Sequence, residues 1–160
     1  MIFYIALVLI LILPACRGLN TSLQWLQHRR AQTLHQPALT LRVSRVRRQR
    51  RYLQLTLVAA DGQKLPKAQA GQHIQLFGID ASGQTVSRAY SLAQDCRHHH
   101  VYRLVIKAET GGRLSSKLFD TVRVGDLLQA SVPKGHFVLR RSRRPLVLIA
   151  AGVGITPMLA

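Results

Sequence analysis

From Ala38 onward the sequence alternates apolar and polar residues, and this period of two limits the possible fold more than any other feature. The stretches "ALTLRVSRV" and "RYLQLTLVAA" follow it first, and the second places Leu53, Leu55 and Leu57 on one face of an extended chain. Further strands follow in "GQHIQLFG", "TVSRAYSLAQ", "VYRLVIKAE" and "GDLLQASVP", with glycine turns between several of them. Short strands at this spacing predict an antiparallel barrel or sandwich.

Two segments depart from the alternation. Leu114 to Val122 predicts one short helix with Leu118 and Phe119 directed inward. The closing stretch "PLVLIAAGVGITPMLA" joins a buried-strand pattern to a glycine turn, which is how a sheet domain presents backbone N–H groups to a phosphate. We therefore expect residues 144–160 to supply the first strand of an α/β nucleotide-binding domain, cut short by a truncated reading frame or a partial sequence.

The chain is strongly basic, with 23 Lys and Arg against 6 Asp and Glu and a net charge of +17 over 160 residues. Such a charge attracts nucleic acid, anionic lipid headgroups and acidic proteins, and it does not choose among them. Arg47-Arg48 and Arg50-Arg51 with Tyr52 suggest nucleic-acid contact, but no recognised nucleic-acid motif accompanies them. A basic β-barrel binding module without redox activity stays the alternative function, with an acidic protein or the less favoured nucleic acid as its partner.

Cys16 and Cys96 are the two cysteines of the sequence, which excludes a disulfide framework and a four-cysteine iron–sulfur site within it. This cysteine usage predicts an intracellular body. His98 to His100 lie beside Cys96, but consecutive residues in a turn rarely converge on one ion, so we predict a polar turn and no metal site. Neither cysteine has neighbours that suggest a nucleophile, and we assign no catalytic residue.

The stretch Met1 to Cys16, "MIFYIALVLILILPAC", carries no charge and predicts a single transmembrane helix over residues 1–19, followed by a linker over 20–37. The first basic residue, Arg17, comes after the apolar stretch, so we expect the body to face the cytoplasm. The same order argues against a cleaved signal peptide. A lipoprotein cleavage box at Cys16 and an ordinary buried helix are weaker alternatives.

Two motifs within the strand-rich segment suit a phosphate-bearing ligand. In "SRAYSL", Arg88 and Tyr90 share one face of the predicted strand, while Ser91 points to the other face or is turned by a bulge. Arginine offers a planar fork to a pyrophosphate, and a tyrosine ring can lie flat on a conjugated system. In "GGRLSSKLF", two glycines precede Ser115 at the expected helix N-terminus, where backbone N–H groups favour an anion. Either motif alone also has an ordinary structural explanation, such as an N-cap serine.

The sequence resembles the ferredoxin reductase-type (FNR-like) flavoproteins through three stretches in the same order, "RAYSL", "GGRLSSKLFDTVRVGDLLQASVPKGHF" and "PLVLIAAGVGITPM". The resemblance extends over roughly residues 38–160. It implies a mainly β fold, an antiparallel Greek-key FAD-binding barrel over residues 38–143 with one short helix. Residues 144–160 would then open the NAD(P)-binding domain of such a protein.

The resemblance also implies a set of cofactor contacts. Arg88 would meet the phosphates of FAD, Tyr90 would pack on the isoalloxazine, and Ser91 would hydrogen-bond near its reactive nitrogen. The other residues implied at the FAD site are Ala89, Val105, Ile106 and Lys107, then Gly112, Arg113, Leu114 and Ser115 around the pyrophosphate, and Thr156 from the following domain. The residues implied at the opening of the NAD(P) site are Gly152, Val153, Gly154 and Pro157.

The implied function is that of an FAD-binding module in a membrane-anchored, NAD(P)H-dependent reductase, which passes electrons to a ferredoxin-like or other acceptor. A two-iron two-sulfur cluster would have to be held by sequence beyond Ala160, because the cysteines for it are absent here. An acidic electron-transfer protein would suit the basic surface as a partner.

Overall fold

Six antiparallel β-strands form the body of the chain. A computed structural model describes residues 37–93, 100–138, 145 and 147–160. The strands are β1 (Leu39–Gln49), β2 (Tyr52–Ala59), β3 (His73–Ile79), β4 (Thr85–Ser91), β5 (Tyr102–Lys107) and β6 (Leu127–Ala130). The helix α1 (Ser115–Thr121) lies between β5 and β6, and a 3₁₀ helix, Gly152–Met158, follows later in the chain.

The strands close into a barrel with Greek-key order. In the sheet they run β4-β3-β6-β1-β2-β5. An antiparallel bridge between Leu92 and Leu104 joins the end of β4 to β5, and the Ala93 backbone N–H donates to the Arg103 carbonyl at 2.9 Å. Thus β3, β4 and β5 follow one another around the wall, and β6 returns to lie beside β3, which is the Greek-key arrangement. The prediction of a mainly β, antiparallel fold with one short helix is confirmed.

The interior of the barrel is filled by the inward positions of the alternating strands. Leu53, Leu55 and Leu57 of β2 are all buried, as their alternation predicted. Other fully buried side chains are Leu41, Val43, Ile74, Leu76, Leu92, Tyr102, Leu104 and Ile106. Tyr102 satisfies its polar end by donating its hydroxyl to the Pro66 carbonyl at 2.5 Å. The alternation of apolar residues therefore builds the core of the barrel.

The helix α1 covers one end of the core. Leu118 is buried and Phe119 packs partly buried against the core, so both side chains point inward as expected. The helix begins one residue after the predicted Leu114 and ends one residue before Val122. Leu114 occupies the N-cap position and makes no side-chain capping hydrogen bond, so this helix start is fixed by packing of the buried Leu114.

The C-terminal segment differs from the prediction of a first strand over 144–160. Val147 to Ala150 form no strand, and the glycine turn is replaced by the 3₁₀ helix Gly152–Met158. A strand requires a neighbour that accepts and donates its backbone hydrogen bonds, and within the described residues none pairs with this segment. Val147 and Ile149 are consequently 80% and 85% exposed. The apolar run is present without the sheet that would bury it.

Several predictions fall on residues outside the described part of the chain. These are the transmembrane helix over 1–19, most of the linker over 20–37, and the Cys96–His99 part of the polar turn. Within the described ranges, no helix is long and apolar enough to span a membrane. Nor do those ranges contain a group of three or more His, Cys, Asp or Glu side chains placed to hold a metal ion.

Candidate functional site

A groove of about 440 Å³ opens between β4, the end of β5 and the start of α1. It is lined by Arg88, Ala89, Tyr90, Lys107, Glu109, Gly111, Gly112, Arg113, Leu114 and Ser115. The motifs "SRAYSL" and "GGRLSSKLF", which are well separated in the sequence, therefore line one cavity. Antiparallel closure of β4 onto β5 brings them together, because it places the "SRAYSL" strand beside the chain that leads into α1.

The strand β4 presents Arg88 and Tyr90 on the same face, as the alternation predicted. Arg88 lies opposite Leu76 of β3 and Tyr90 opposite Ile74, with no register shift between them. The Arg88 side chain is exposed, and its Nη1 donates to the Ser87 carbonyl at 2.8 Å. Within the described residues no carboxylate pairs with it. Arg88 thus keeps most of its donors available to an anion in the groove.

Tyr90 is half-buried, and its hydroxyl is buried without a hydrogen-bond partner among the described residues. Burial raises the pKa of Tyr90 to about 12, against the smaller opposing effect of the Arg88 charge. The hydroxyl is therefore protonated at neutral pH and has a proton to donate. A buried polar group without a partner costs about 1–3 kcal/mol, so the part of Tyr90 that the groove offers to a ligand is its aromatic ring.

The glycine pair between β5 and α1 allows close approach to the backbone. Gly111 has φ +72°, a conformation that other residues rarely adopt. A Cβ on Gly112 would lie 2.4 Å from Ser115 Oγ and 2.9 Å from the Glu109 carbonyl oxygen, so this position has no room for a side chain. The Gly112 N–H donates to that same carbonyl at 2.8 Å. The loop is a tight turn whose outer surface is bare backbone.

Ser115 has a structural contact of its own. It stands at the first position of α1, where it was expected, but its Oγ accepts a hydrogen bond from the Glu109 backbone N–H at 3.3 Å. The neighbouring Ser116 hydroxyl donates to the Glu109 carbonyl at 2.5 Å. Both serines therefore hold the glycine turn against the start of the helix.

Two ion pairs at the groove were missed by the sequence analysis. Lys107 Nζ lies 2.9 Å from Glu109 Oε1, and this hydrogen bond and charge lower the pKa of Glu109. Arg113 Nε donates to Asp80 Oδ2 at 2.7 Å. Asp80 is also fixed by its own turn, since its Oδ1 accepts from the Ser82 hydroxyl at 2.7 Å.

These contacts hold the pKa of Asp80 well below its usual range, with the Ser82 hydroxyl first, then the Gln84 backbone N–H, and Arg113 adding a smaller effect. The signal that could have found Asp80 is its position two residues before Ser82-Gly83, since aspartate commonly bonds the backbone two residues on. The two arginines of the groove consequently differ. Arg113 forms an ion pair with the Asp80 carboxylate, whereas Arg88 forms none within the described residues.

Residues 40–139 match the oxidoreductase FAD-binding domain family. The chain belongs to this family. The flavohemoprotein of Pseudomonas aeruginosa is 50% identical over 104 residues, which cover 65% of this chain and 26% of that protein. The flavohemoprotein of Bacillus subtilis is 44% identical over 102 residues, covering 62% of this chain and 25% of that protein. The chain thus spans about a quarter of the length of these curated relatives.

Solved structures give the same relationship. The flavohem-like FAD/NAD-binding domain of nitric oxide dioxygenase from Vibrio cholerae superposes with a TM-score of 0.73 at 32% identity, covering 78% of this chain and 55% of that one. Phthalate dioxygenase reductase gives a TM-score of 0.68 at 29% identity, covering 76% and 37%. The resemblance to FNR-like flavoproteins is confirmed, with FAD as the cofactor and NAD(P)H as the cofactor of full-length relatives.

The groove of this FAD-binding domain has the chemistry that FAD requires. Arg88 would offer an available cation to the diphosphate, and Gly112 would leave the backbone open to close approach. Tyr90 would offer a flat aromatic ring. Each of these features is incomplete without a ligand, and together they fit FAD.

Not all the residues implied at the FAD site line this groove. Ser91 is half-buried at the end of β4, and Ile106 is buried in the core. Val105 lies on the outer face of β5, in a different cleft. Thr156 is buried, and its hydroxyl donates to the Val153 carbonyl at 2.9 Å within the 3₁₀ helix. FAD contacts from these four residues stay predictions, as do those from the residues that line the groove.

The residues implied at the NAD(P) site also lie away from the groove. Gly152, Val153 and Gly154 are exposed in the 3₁₀ helix. Pro157 lines an apolar cavity of about 620 Å³ with Phe137, Leu148 and other apolar residues. A nicotinamide nucleotide at these positions stays a prediction.

Proposed function

We propose that this FAD-binding domain serves in an NAD(P)H-dependent reductase and that its FAD passes electrons to an acceptor held outside these residues. The observation that carries the proposal is the groove itself, where an available arginine, a bare glycine turn and a tyrosine side chain converge. When bound, FAD supplies the redox chemistry, because a flavin accepts two electrons from a nicotinamide and can release them one at a time.

The side chains of the groove bind and orient rather than react. Arg88 neutralises phosphate charge and fixes its position through paired N–H donors. The Tyr90 ring excludes water from one side of the groove, and its hydroxyl holds its proton because its pKa is raised to about 12. The ion pair of Arg113 with Asp80 keeps the start of α1 beside the β3–β4 turn, so the glycine loop stays in place.

The relatives favour an electron acceptor that contains a metal centre. The Pseudomonas aeruginosa and Bacillus subtilis relatives are flavohemoproteins, and phthalate dioxygenase reductase transfers electrons from pyridine nucleotides to a [2Fe-2S] centre. We propose that the acceptor here is likewise a separate domain or an acidic electron-transfer protein. The chain has 23 basic and 6 acidic residues, and this excess of positive charge favours an acidic docking surface on that partner.

We further propose that residues 1–19 anchor the protein in a membrane, with the FAD-binding domain on the cytoplasmic side. The support is the uncharged stretch Met1 to Cys16 and the basic residues that follow it. An alkaline phosphatase fusion to the C-terminus should be inactive in a bacterial host, and a green fluorescent protein fusion should fluoresce. The reverse pattern would contradict this orientation.

Titration with FAD tests the assignment of the groove. Arg88→Ala should weaken FAD binding by about 1.5–3 kcal/mol, the range for losing a charge-assisted hydrogen bond from an otherwise intact site. The quenching of flavin fluorescence on binding measures this. Arg123→Ala is the matched control, because Arg123 is exposed and does not line the groove. Equal FAD affinity in both folded variants would remove Arg88 from the site.

A further inference from the structure

The outer surface of β1, β2 and β5 carries a group of arginines that the FAD site does not use. We call the surface formed by Arg42, Arg45, Arg47 and Arg103 the arginine face. Arg45 lies opposite Thr56, which in turn lies opposite Arg103, so one row crosses three strands. Arg47 lies opposite Gln54 in the next row, and a cleft of about 370 Å³ opens among these residues.

A β-bulge in β1 places these charges on one side. The pairing of β1 with β2 shifts between Val43 and Arg45, and the Ser44 hydroxyl donates to the Thr56 carbonyl at 3.0 Å across this shift. Because the extra residue reverses the alternation, Val46 turns inward and packs against the core. Arg45 and Arg47 both turn outward and are exposed. A regular strand would have directed these two arginines into the barrel.

The arginines of β1 fall into two groups by their contacts. Arg48 donates to the carbonyls of Phe119 and Val122 at 2.5 Å each, so its charge is used to hold the end of α1. Arg42, Arg45 and Arg47, in contrast, form no ion pair and no side-chain hydrogen bond within the described residues. Exposed, unpaired cations on one sheet face are what an anionic surface attracts.

We propose that the arginine face lies against anionic lipid headgroups of the membrane to which the N-terminal stretch tethers the chain. This inference rests on the anchor part of the proposed function. The strand β1, which carries three of the four arginines, begins at Leu39, soon after the apolar stretch that ends at Cys16. Such a short tether keeps the face at a high effective concentration beside a bilayer. Acidic proteins and nucleic acids fit the charge equally but lack this proximity.

The test places an environment-sensitive fluorophore on Gln54→Cys, in the centre of the face, in the FAD-loaded full chain with Cys16 and Cys96 changed to Ser. Vesicles of phosphatidylcholine alone are compared with vesicles that also contain phosphatidylglycerol. We expect protection of the label from acrylamide only in the anionic vesicles, and loss of protection at high salt. A label on Ala81→Cys, an exposed position in the β3–β4 turn, should stay accessible in both.

Two sets of variants identify the residues responsible. Changing Arg42, Arg45 and Arg47 together to Gln should lower the ratio of protected to accessible label roughly a hundredfold, since each arginine near an anionic surface contributes about fivefold. The matched control changes Lys64, Lys67 and Arg123 to Gln, which removes the same charge away from the face. Equal loss in both sets would show a general charge effect and overturn the proposal.

Other outcomes are equally decisive. A Gln54→Cys label that stays accessible in anionic vesicles, or is protected equally in phosphatidylcholine, contradicts the proposal. Protection by duplex DNA or polyglutamate but not by anionic vesicles would assign the face to a nucleic acid or an acidic protein instead. Flotation of the parent with phosphatidylcholine vesicles separates the two levels, because the anchor should bind both kinds of vesicle whatever the arginine face does. A parent that does not float with these vesicles would count against the anchor, whereas a parent that floats with both kinds and leaves the label accessible would count against the face. FAD titration checks that the triple Gln variant is folded, since it should bind FAD as the parent does.

Discussion

The barrel and the C-terminal segment carry similar apolar runs, yet only one of them forms strands. In β2, β1 and β5 satisfy the backbone on either side, and Leu53 and Leu57 are fully buried because the core of the closed barrel covers the inner face. In the C-terminal segment, Val147 and Ile149 remain 80% and 85% exposed and form no ladder. An apolar run therefore predicts a strand only where neighbouring strands satisfy its backbone groups and bury its side chains.

The largest contrast between these regions should appear in stability. Leu55→Ala should lower the free energy of unfolding by about 2–5 kcal/mol, because it opens a cavity in the closed barrel. Ile149→Ala should change it by less than about 0.5 kcal/mol, because that side chain is already exposed. Urea unfolding followed by circular dichroism measures both. A comparable loss in the two variants would show that the C-terminal segment packs into the folded core in solution.

A glycine in each region gives a smaller contrast. Gly112→Ala should destabilise the domain by about 1–3 kcal/mol and weaken FAD binding, because the new Cβ would meet Ser115 Oγ and the fixed Glu109 carbonyl. Gly154→Ala should be nearly neutral, since nothing lies within 4 Å of a Cβ there. Thermal unfolding and flavin fluorescence report the two effects. If Gly154→Ala proved the more damaging change, the 3₁₀ helix would need a partner that the described residues do not show.

The smallest effect concerns the sensitivity of the fold to acid, which should depend on the barrel and not on the C-terminal segment. The pKa of Asp80 is lowered from 3.8, so the stabilisation from its charged form is complete above that pH and is lost as the pH falls through the folded-state value. Asp80→Asn should therefore flatten the fall of Tm on the acid side while lowering Tm at neutral pH. Asp120→Asn, on the exposed side of α1, is the control. If Tm fell with pH in Asp80→Asn as it does in the parent, the ion pair of Asp80 with Arg113 would not contribute to stability.

Much of the site could be predicted because it depends on local geometry. Strand alternation alone puts Arg88 and Tyr90 on one face, and the glycine pair marks a tight turn whatever the fold. What could not be predicted is which charges are available. Arg88 and Arg113 look alike in sequence, but a turn aspartate 33 residues before Arg113 binds it and leaves Arg88 unpaired. The β1 bulge could not be predicted either, because it follows from packing Val46 against the core.

The alternating pattern was enough to predict antiparallel strands in a barrel or sandwich, the inward leucines of β2 and the short helix, because each depends on periodicity or on residues close along the chain. The family resemblance supplied the Greek-key barrel and the order of the FAD motifs. The remaining features depend on contacts between residues far apart in the chain. Folding closed β4 onto β5 to form the groove, paired Arg113 with Asp80 and left the Tyr90 hydroxyl without a partner among the described residues. Through the β1 bulge it also turned Arg45 and Arg47 outward. Residues 147–150 form no strand, because a strand gains its hydrogen bonds and burial from neighbouring strands that no short stretch of sequence contains.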